Sequence, residues 1–411
     1  MQRLTERLNP SARILMLAAI WTLAFVSGGP SVAIGQPGAA ANADAVRPET
    51  FGAKGDGKTN DQAAVQAAFD AVLKAGGGRI EFTGGKTYNL GDLPTFLAAG
   101  VNAENLTNAV IEGNGAKLVV NTTEKFTTEI FNLTNPSNVR INNLKFQDTG
   151  MDWFQNWKGA VAIRLLASGP AGESGDVSVT GCSAEQVLTF VSCAGGGLRR
   201  LRGVTVTDCK TSNSYYGINC QNDGDNLTAT KYVCNNVRRP YFVYGIEHHD
   251  VEVSIHHDGK ARGASSACLI NNHGRDTRKV KLKATFVGDT SQYLTGLDLE
   301  HQRSDAGGGL ISDVDATVVI KAPSAMVPVR FRSYRLNDKK EYVEEDATAN
   351  SWDGIKLRGT LATKGPEAIA FGKLISQGTK GQLTLDSKIV LRPAKRPNCP
   401  AFDISTDPGS K

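Results

Sequence analysis

Between residues 162 and 334 the chain returns again and again to a short run in which every second side chain is apolar. The runs are AIRLLAS (162–168), TFVSCAG (189–195), YGINCQN (216–222), YFVYGIE (241–247), ACLINNH (267–273), GLDLEHQ (296–302) and PVRFRSY (328–334). Alternation of period two predicts a strand with one buried face. The runs begin again every 25 to 30 positions or so, within the roughly 20–50-residue period of solenoids, in which each unit buries its apolar side against the next. Earlier coils stand at 108–120 and 138–150, and less regular ones follow at 354–364 and 381–391. Cys182, Cys209 and Cys234 occupy similar places in successive coils, as do Cys193 and Cys220. Parallel Cβ vectors make disulfides between such neighbours hard to close, so buried thiols are expected, with Cys399 the odd one out.

Ahead of the repeat, Gln62–Lys74 has a helical pattern with Ala64, Ala67, Ala68, Ala71 and Val72 on one face. Asp61 or Asn60 is placed to cap it, and Gly76-Gly77-Gly78 ends it. This helix is expected to cover the open end of the stack. The residues before it, Gly52-Ala53-Lys54-Gly55-Asp56-Gly57-Lys58-Thr59, satisfy the phosphate-loop pattern. No buried parallel strand precedes them, so no nucleotide is expected. The whole run FGAKGDGKTNDQAAVQAAFDAVLKAGGGRIEFTGGKTYNL resembles the N-terminal module of the pectate-lyase-like superfamily. That superfamily includes polygalacturonase-type glycosidases, phage tailspikes and uronan epimerases. The resemblance covers about a tenth of the chain and implies a single-stranded, right-handed parallel β-helix with an N-terminal capping helix. It does not choose a reaction.

Arg3, Arg7 and Arg13 precede an apolar run from Ile14 to Val26, and small residues follow. This reads as a secretory signal, too short for a stable membrane span. The expected organisation is signal and linker at 1–45, β-helix at 46–395 and a tail at 396–411, in a secreted or periplasmic protein. The 411 residues carry 46 Lys and Arg against 41 Asp and Glu, a net charge of +5. That excess is too small and dispersed for a nucleic-acid binder, and it suits an anionic ligand.

Candidate chemistry lies on the outward positions of the repeated strand. Alternation turns Ile218, Cys220, Leu297, Leu299, Val329 and Phe331 inward. It turns Asn219, Gln221, Asp298, Glu300, Arg330 and Arg332 outward. Just past the strand ends stand Asp223, Glu247, His249, Asn272, His273, His301, Arg303 and Tyr334. Five coils make a polar band of about 20–25 Å, at about 4.8 Å per coil, which suits an extended and anionic polysaccharide. Asp298 and Glu300 would have Cα atoms about 6.6 Å apart, and Glu247 would lie roughly 9.5 Å away. Both distances fall near the roughly 6.5–9.5 Å of inverting glycosidases. The expected activity is therefore glycoside hydrolysis by these carboxyls, with His249, His273 or His301 tuning them or binding sugar.

Lyase or C5-epimerase chemistry on a uronic acid competes with it. Arg303, Arg330 and Arg332 would neutralise the sugar carboxylate, His273 or His301 would be the base and Tyr334 the acid. The chain lacks the Asp-Pro-His-Asp signature of uronan epimerases and the Asn-Thr-Asp, Gly-His-Gly and Arg-Ile-Lys motifs of polygalacturonases. Gln221, Asp223, Asn272, Tyr334 and the loop residues Trp153 and Trp157 complete the candidate substrate-binding set. That loop, MDWFQNWKG, either stacks on sugars or plugs an apolar gap, and a non-catalytic carbohydrate-binding β-helix is the third reading. His248-His249 and His256-His257 are doublets, but adjacent strand residues face opposite ways, so no metal site and no cofactor is expected. Monomer and trimer are equally open.

Overall fold

A computed structural model describes residues 45–407, except 125–126, 153–157, 259–264, 304–308, 337–341, 345–351 and 375–379. The described strands join into one continuous parallel ladder. Near the N-terminus each coil has three strands, and each strand pairs with the third one along. Gly78–Glu81 pairs with Thr107–Glu112, and that with Ser137–Asn142. Further on, neighbouring strands run together and a coil has two. Glu247–Asp258 pairs with Thr277–Asp289 and that with Ile311–Ile320, while Ser266–Asn271 pairs with Thr295–Arg303 and that with Val327–Leu336. One antiparallel pairing, of Val327–Leu336 with Tyr342–Glu344, departs from the pattern. The chain is a right-handed parallel β-helix.

The register follows from the inward side chains. Ile163, Val191, Ile218, Tyr241, Cys268, Leu297 and Val329 pair in succession. Of these coils the one from Ile218 to Tyr241 is the shortest and the one from Leu297 to Val329 the longest. The aligned runs set Tyr216 against Tyr241, but Tyr216 pairs with Arg239, so that coil is shorter than expected. They also set Ala162 against Thr189, a place that Val161 takes instead. Coil turns carry Asn in the left-handed region, as at Asn105 (φ 59°) and Asn135 (φ 53°), where its short polar side chain lowers the steric cost. All seven cysteines are buried free thiols. The last ladder strand, Phe402–Asp407, pairs with Gly381–Asp386 and lies within the stretch expected to be a tail.

Helix α1 (Gln62–Lys74) lies across the first coils. Its buried face is Val65, Ala68, Phe69 and Val72, a stripe rotated toward the larger side chains from the alanine face the sequence suggested. Phe69 meets Phe131 edge-on at 5.2 Å. Gln62 donates to the carbonyl of Ala99 at 2.9 Å, and Gln66 both donates to the carbonyl of Asn102 (2.8 Å) and accepts its N–H (2.9 Å). The helix therefore satisfies backbone groups of the edge strand Ala99–Glu104 that would otherwise invite pairing with another chain. Its first N–H, that of Gln62, is capped by Asn60 Oδ1 at 3.0 Å. The buried carboxylate of Asp61 instead accepts the N–H groups of Lys54 (2.7 Å) and Gly55 (2.9 Å). Those donors of the phosphate-loop look-alike are thus closed on the chain's own carboxylate. Among the described residues no helix is long and apolar enough to cross a membrane.

Candidate functional site

Two outward rows run side by side along the stack. Asn219, Phe242, Leu269, Asp298 and Arg330 are in register, and two residues further along each strand are Gln221, Tyr244, Asn271, Glu300 and Arg332. The residues between the rows, Cys220, Val243, Ile270, Leu299 and Phe331, all belong to the core, which turns both rows away from it.

At the C-terminal end of the rows two carboxyls and two guanidiniums lock together. Asp298 Oδ2 accepts the Ser266 hydroxyl at 2.7 Å and meets Arg330 Nη2 at 2.8 Å and Arg332 Nη2 at 2.7 Å. The same Arg332 nitrogen lies 2.7 Å from Glu300 Oε2, and Asn271 Nδ2 donates to Glu300 Oε1 at 2.7 Å. Arg332 also hydrogen-bonds the Tyr334 hydroxyl through Nη1, its guanidinium 4.7 Å from the centre of that ring. Asp298 is fully buried, whereas the Glu300 and Arg332 side chains are 15% and 16% exposed. Burial raises the pKa of Glu300; Arg332 opposes the rise and Asp298 adds to it. Burial works against the Arg332 charge, but Glu300 and Asp298 outweigh it and hold that guanidinium charged. Asp298 Oδ1, Thr295 Oγ1, Arg330 Nε and Arg332 Nε are buried without a hydrogen-bond partner. Such orphaned groups are rare in a packed chain, and four of them gather at this cluster.

Upstream the same face carries an aromatic cluster that the sequence reading missed. Tyr216 stacks on Phe242 (5.8 Å), Phe242 meets Tyr244 (5.6 Å), and Tyr244 lies against the His273 ring (4.4 Å). Leu269 completes the cluster, and Arg238 and Arg239 lie over the rings of Tyr215 (4.5 Å) and Phe242 (5.5 Å). The Tyr244 hydroxyl donates to Gln221 Oε1 at 2.6 Å, and Gln221 Nε2 to Asn219 Oδ1 at 2.8 Å. His273 turns its backbone N–H onto Asn271 Oδ1 (2.7 Å), so Asn271 links it to Glu300. Burial pushes the His273 pKa down to about 4, leaving a neutral imidazole.

The structure thus brings together Asp298, Glu300, Arg330, Arg332 and Tyr334, with His273 joined to Glu300 through Asn271 and Gln221 three coils upstream in the Glu300 row. Other candidates are elsewhere or sealed. His301 is buried, its ring nitrogens 3.3 Å from Ser333 Oγ and 3.1 Å from the Gly309 carbonyl. The strand continues to Arg303, so the alternation that buries Leu297 and Leu299 also buries His301. His249 is buried between the Tyr241 hydroxyl (2.9 Å) and the Gly224 carbonyl (2.7 Å), and burial pushes its pKa down to about 4. Asn272 is fully buried, donating to the Gly309 carbonyl (2.7 Å) and accepting the Gln302 N–H (2.6 Å). Glu247 opens a strand of another face, where Lys279 (2.8 Å) holds its carboxyl below the usual range, helped by Arg278. Asp223 pairs with Arg275 at 3.0 Å. Asn222, Asp223 and His248 all have positive φ, and these turn residues break the alternation that the sequence reading extended past the strand ends. Trp153, Trp157 and the Arg303 side chain lie outside the described residues.

The expected inverting geometry is not present. Asp298 Oδ2 and Glu300 Oε2 each touch the same guanidinium nitrogen at 2.7 Å. The two oxygens are thus closer than the roughly 6.5–9.5 Å of inverting enzymes, and that nitrogen stands where a water would be needed. Asn271, Tyr244 and Phe242 were readable as outward columns of the aligned coils, whereas Tyr216, Arg239 and Ser266 share the parity of the inward Ile218, Tyr241 and Cys268. The short coil from Ile218 to Tyr241 hid that Arg239 neighbours Tyr216.

No protein-family model matches the chain. It is 39% identical over 75 residues to a capsule KN3-specific depolymerase of Klebsiella phage KN3-1, and 61% identical over 36 residues to alginate lyase 7 of Azotobacter vinelandii. These matches cover 18% and 9% of the chain and 10% and 4% of the relatives. Among solved structures it is similar to the tailspike protein of E. coli bacteriophage HK620, a mutant in complex with a pentasaccharide. There the TM-score is 0.52 at 13% identity, over 89% of this chain and 64% of the tailspike. The chain therefore has the right-handed parallel β-helix fold of these tailspikes, and it spans less than two thirds of their length.

Proposed function

We propose that this chain cleaves a polysaccharide bound across the two outward rows, with Glu300 as proton donor to the departing glycosidic oxygen. The observation that carries the reading is Glu300 itself, a carboxyl raised by burial and aimed by Asn271 and Arg332. A carboxyl that keeps its proton toward neutral pH suits a general acid. Asp298, sealed under Arg330 and Arg332, is a positioning residue that fixes both guanidiniums. The base is His273, neutral above about pH 4 and with no hydrogen bond to its ring among the described residues. In hydrolysis His273 takes a proton from the attacking water while Glu300 protonates the leaving oxygen.

A second reading rests on the same imidazole. With no exposed second carboxylate in the cluster, abstraction of the C5 proton of a uronic acid by His273 leads to β-elimination instead. The depolymerase and lyase names of the short-range relatives support a polysaccharide substrate for either course. The signal-like segment before Ser27 supports export, to be checked by N-terminal sequencing of protein recovered outside the cytoplasm. Acidic and neutral polysaccharides incubated with the protein, followed by reducing ends and by ultraviolet absorbance together, test the proposal. Reducing ends alone mean hydrolysis, and both signals mean elimination. Neither signal on a polymer that binds would refute cleavage and leave a binding module.

A further inference from the structure

We infer that Arg239 forms a carboxylate-binding subsite above Phe242, which gives this site a preference for acidic sugar units. The inference rests on the polysaccharide reading above and names the residue that would read the charge. Of the three arginines singled out from sequence for that task, Arg330 and Arg332 are already engaged, meeting Asp298 and Glu300 at 2.7–2.8 Å, and the Arg303 side chain lies outside the described residues. Arg239 makes no ion pair among the described residues. Its guanidinium stands 5.5 Å from the centre of the Phe242 ring, and its Nε is buried without a hydrogen-bond partner.

Its position is set by the ladder. Arg239 pairs with Tyr216 and precedes Tyr241 by two residues, just as Ser266 precedes Cys268, the residue that pairs with Tyr241. Ser266 in turn donates to Asp298 at 2.7 Å. Arg239 therefore lies one coil, about 4.8 Å, before the residue that touches the buried carboxylate. It is near enough that its charge helps oppose the burial of Glu300. A planar guanidinium held over a ring loses little freedom on binding and presents a fork that fits a carboxylate, while a neutral hydroxymethyl group offers no charge to match it.

Calorimetric titration tests this with polymannuronate, polyguluronate and polygalacturonate, each beside a form whose carboxyls are reduced to alcohols. Wild-type protein is expected to bind at least one native polymer roughly 10- to 100-fold more tightly than its reduced form, the range of a charge-assisted pair. Arg239→Gln should bring the native polymer down to the affinity of the reduced one, with that lower affinity and the melting temperature unchanged. Arg239→Lys, which keeps the charge without the fork, should keep an intermediate preference. Equal wild-type affinity for both forms, or full preference retained in folded Arg239→Gln, overturns the subsite while leaving polysaccharide binding intact. Failure of the wild type to bind any polymer in either form overturns the polysaccharide reading itself.

Discussion

Replacing each carboxyl of the cluster by its amide separates the roles assigned to Asp298 and Glu300. In Glu300→Gln the amide oxygen still accepts the Asn271 hydrogen bond, and Arg332 keeps Asp298 at 2.7 Å. The stability change is expected to stay within about 2 kcal/mol, because one partly exposed charge-assisted contact is weakened and one desolvated charge is removed. The rate should fall by roughly 10²–10⁴, the usual contribution of a general acid. In Asp298→Asn the fully buried group that receives Ser266, Arg330 and Arg332 on one oxygen loses its charge. Two guanidiniums then face Glu300 alone, and breaking a buried network in this way costs about 3–5 kcal/mol. Urea midpoints at matched slopes, read beside initial rates, give both quantities. The reasoning fails if Asp298→Asn keeps the wild-type midpoint yet loses as much activity as Glu300→Gln. The two carboxyls would then act as a catalytic couple, as in paired-carboxylate hydrolysis.

Three further expectations follow from charge and edge protection. Activity should fall as pH drops toward about 4, where His273 takes up a proton, and again as pH rises past the raised pKa of Glu300; in Glu300→Gln residual activity should lack the second limb. His249 has a folded pKa of about 4 against 6.5 when free, so the unfolded chain binds more protons between these values. Its contribution of about 3 kcal/mol, at about 1.36 kcal/mol per pH unit, is complete above pH 6.5 and lost as pH falls to 4. Urea unfolding at pH 7.5, 5.5 and 4.5 should show that loss, and identical curves for wild type and His249→Gln would contradict it. Gln62→Ala with Gln66→Ala removes three hydrogen bonds from the edge strand and should cost about 1 kcal/mol per bond while raising aggregation, measured by light scattering.

The stack was legible because burial on a solenoid forces a period-two pattern that recurs with every coil, and the strands carrying Leu297, Leu299, Val329 and Phe331 obey it. The site was legible only in part, because its residues meet across coils rather than along the chain. Coils differ in length with their turns, short from Ile218 to Tyr241 and long from Leu297 to Val329, and turn length leaves no trace in the strand pattern. An even-numbered slip at the shortest coil preserves which side chains face outward but shifts every residue's neighbours, and so Arg239 went unnoticed beside Tyr216. An unseen strand end has the opposite effect: His301 looked like a turn residue until the strand proved to run through it. The burial of Asp298 is a third kind of information. Its own strand marks it as outward, yet Arg330 and Arg332 reach back from the following coil to its carboxylate and Ser266 reaches it from the preceding one. A polar residue on the outer face of a β-helix is thus exposed or sealed according to the residues one coil to either side, so its chemistry follows from the register.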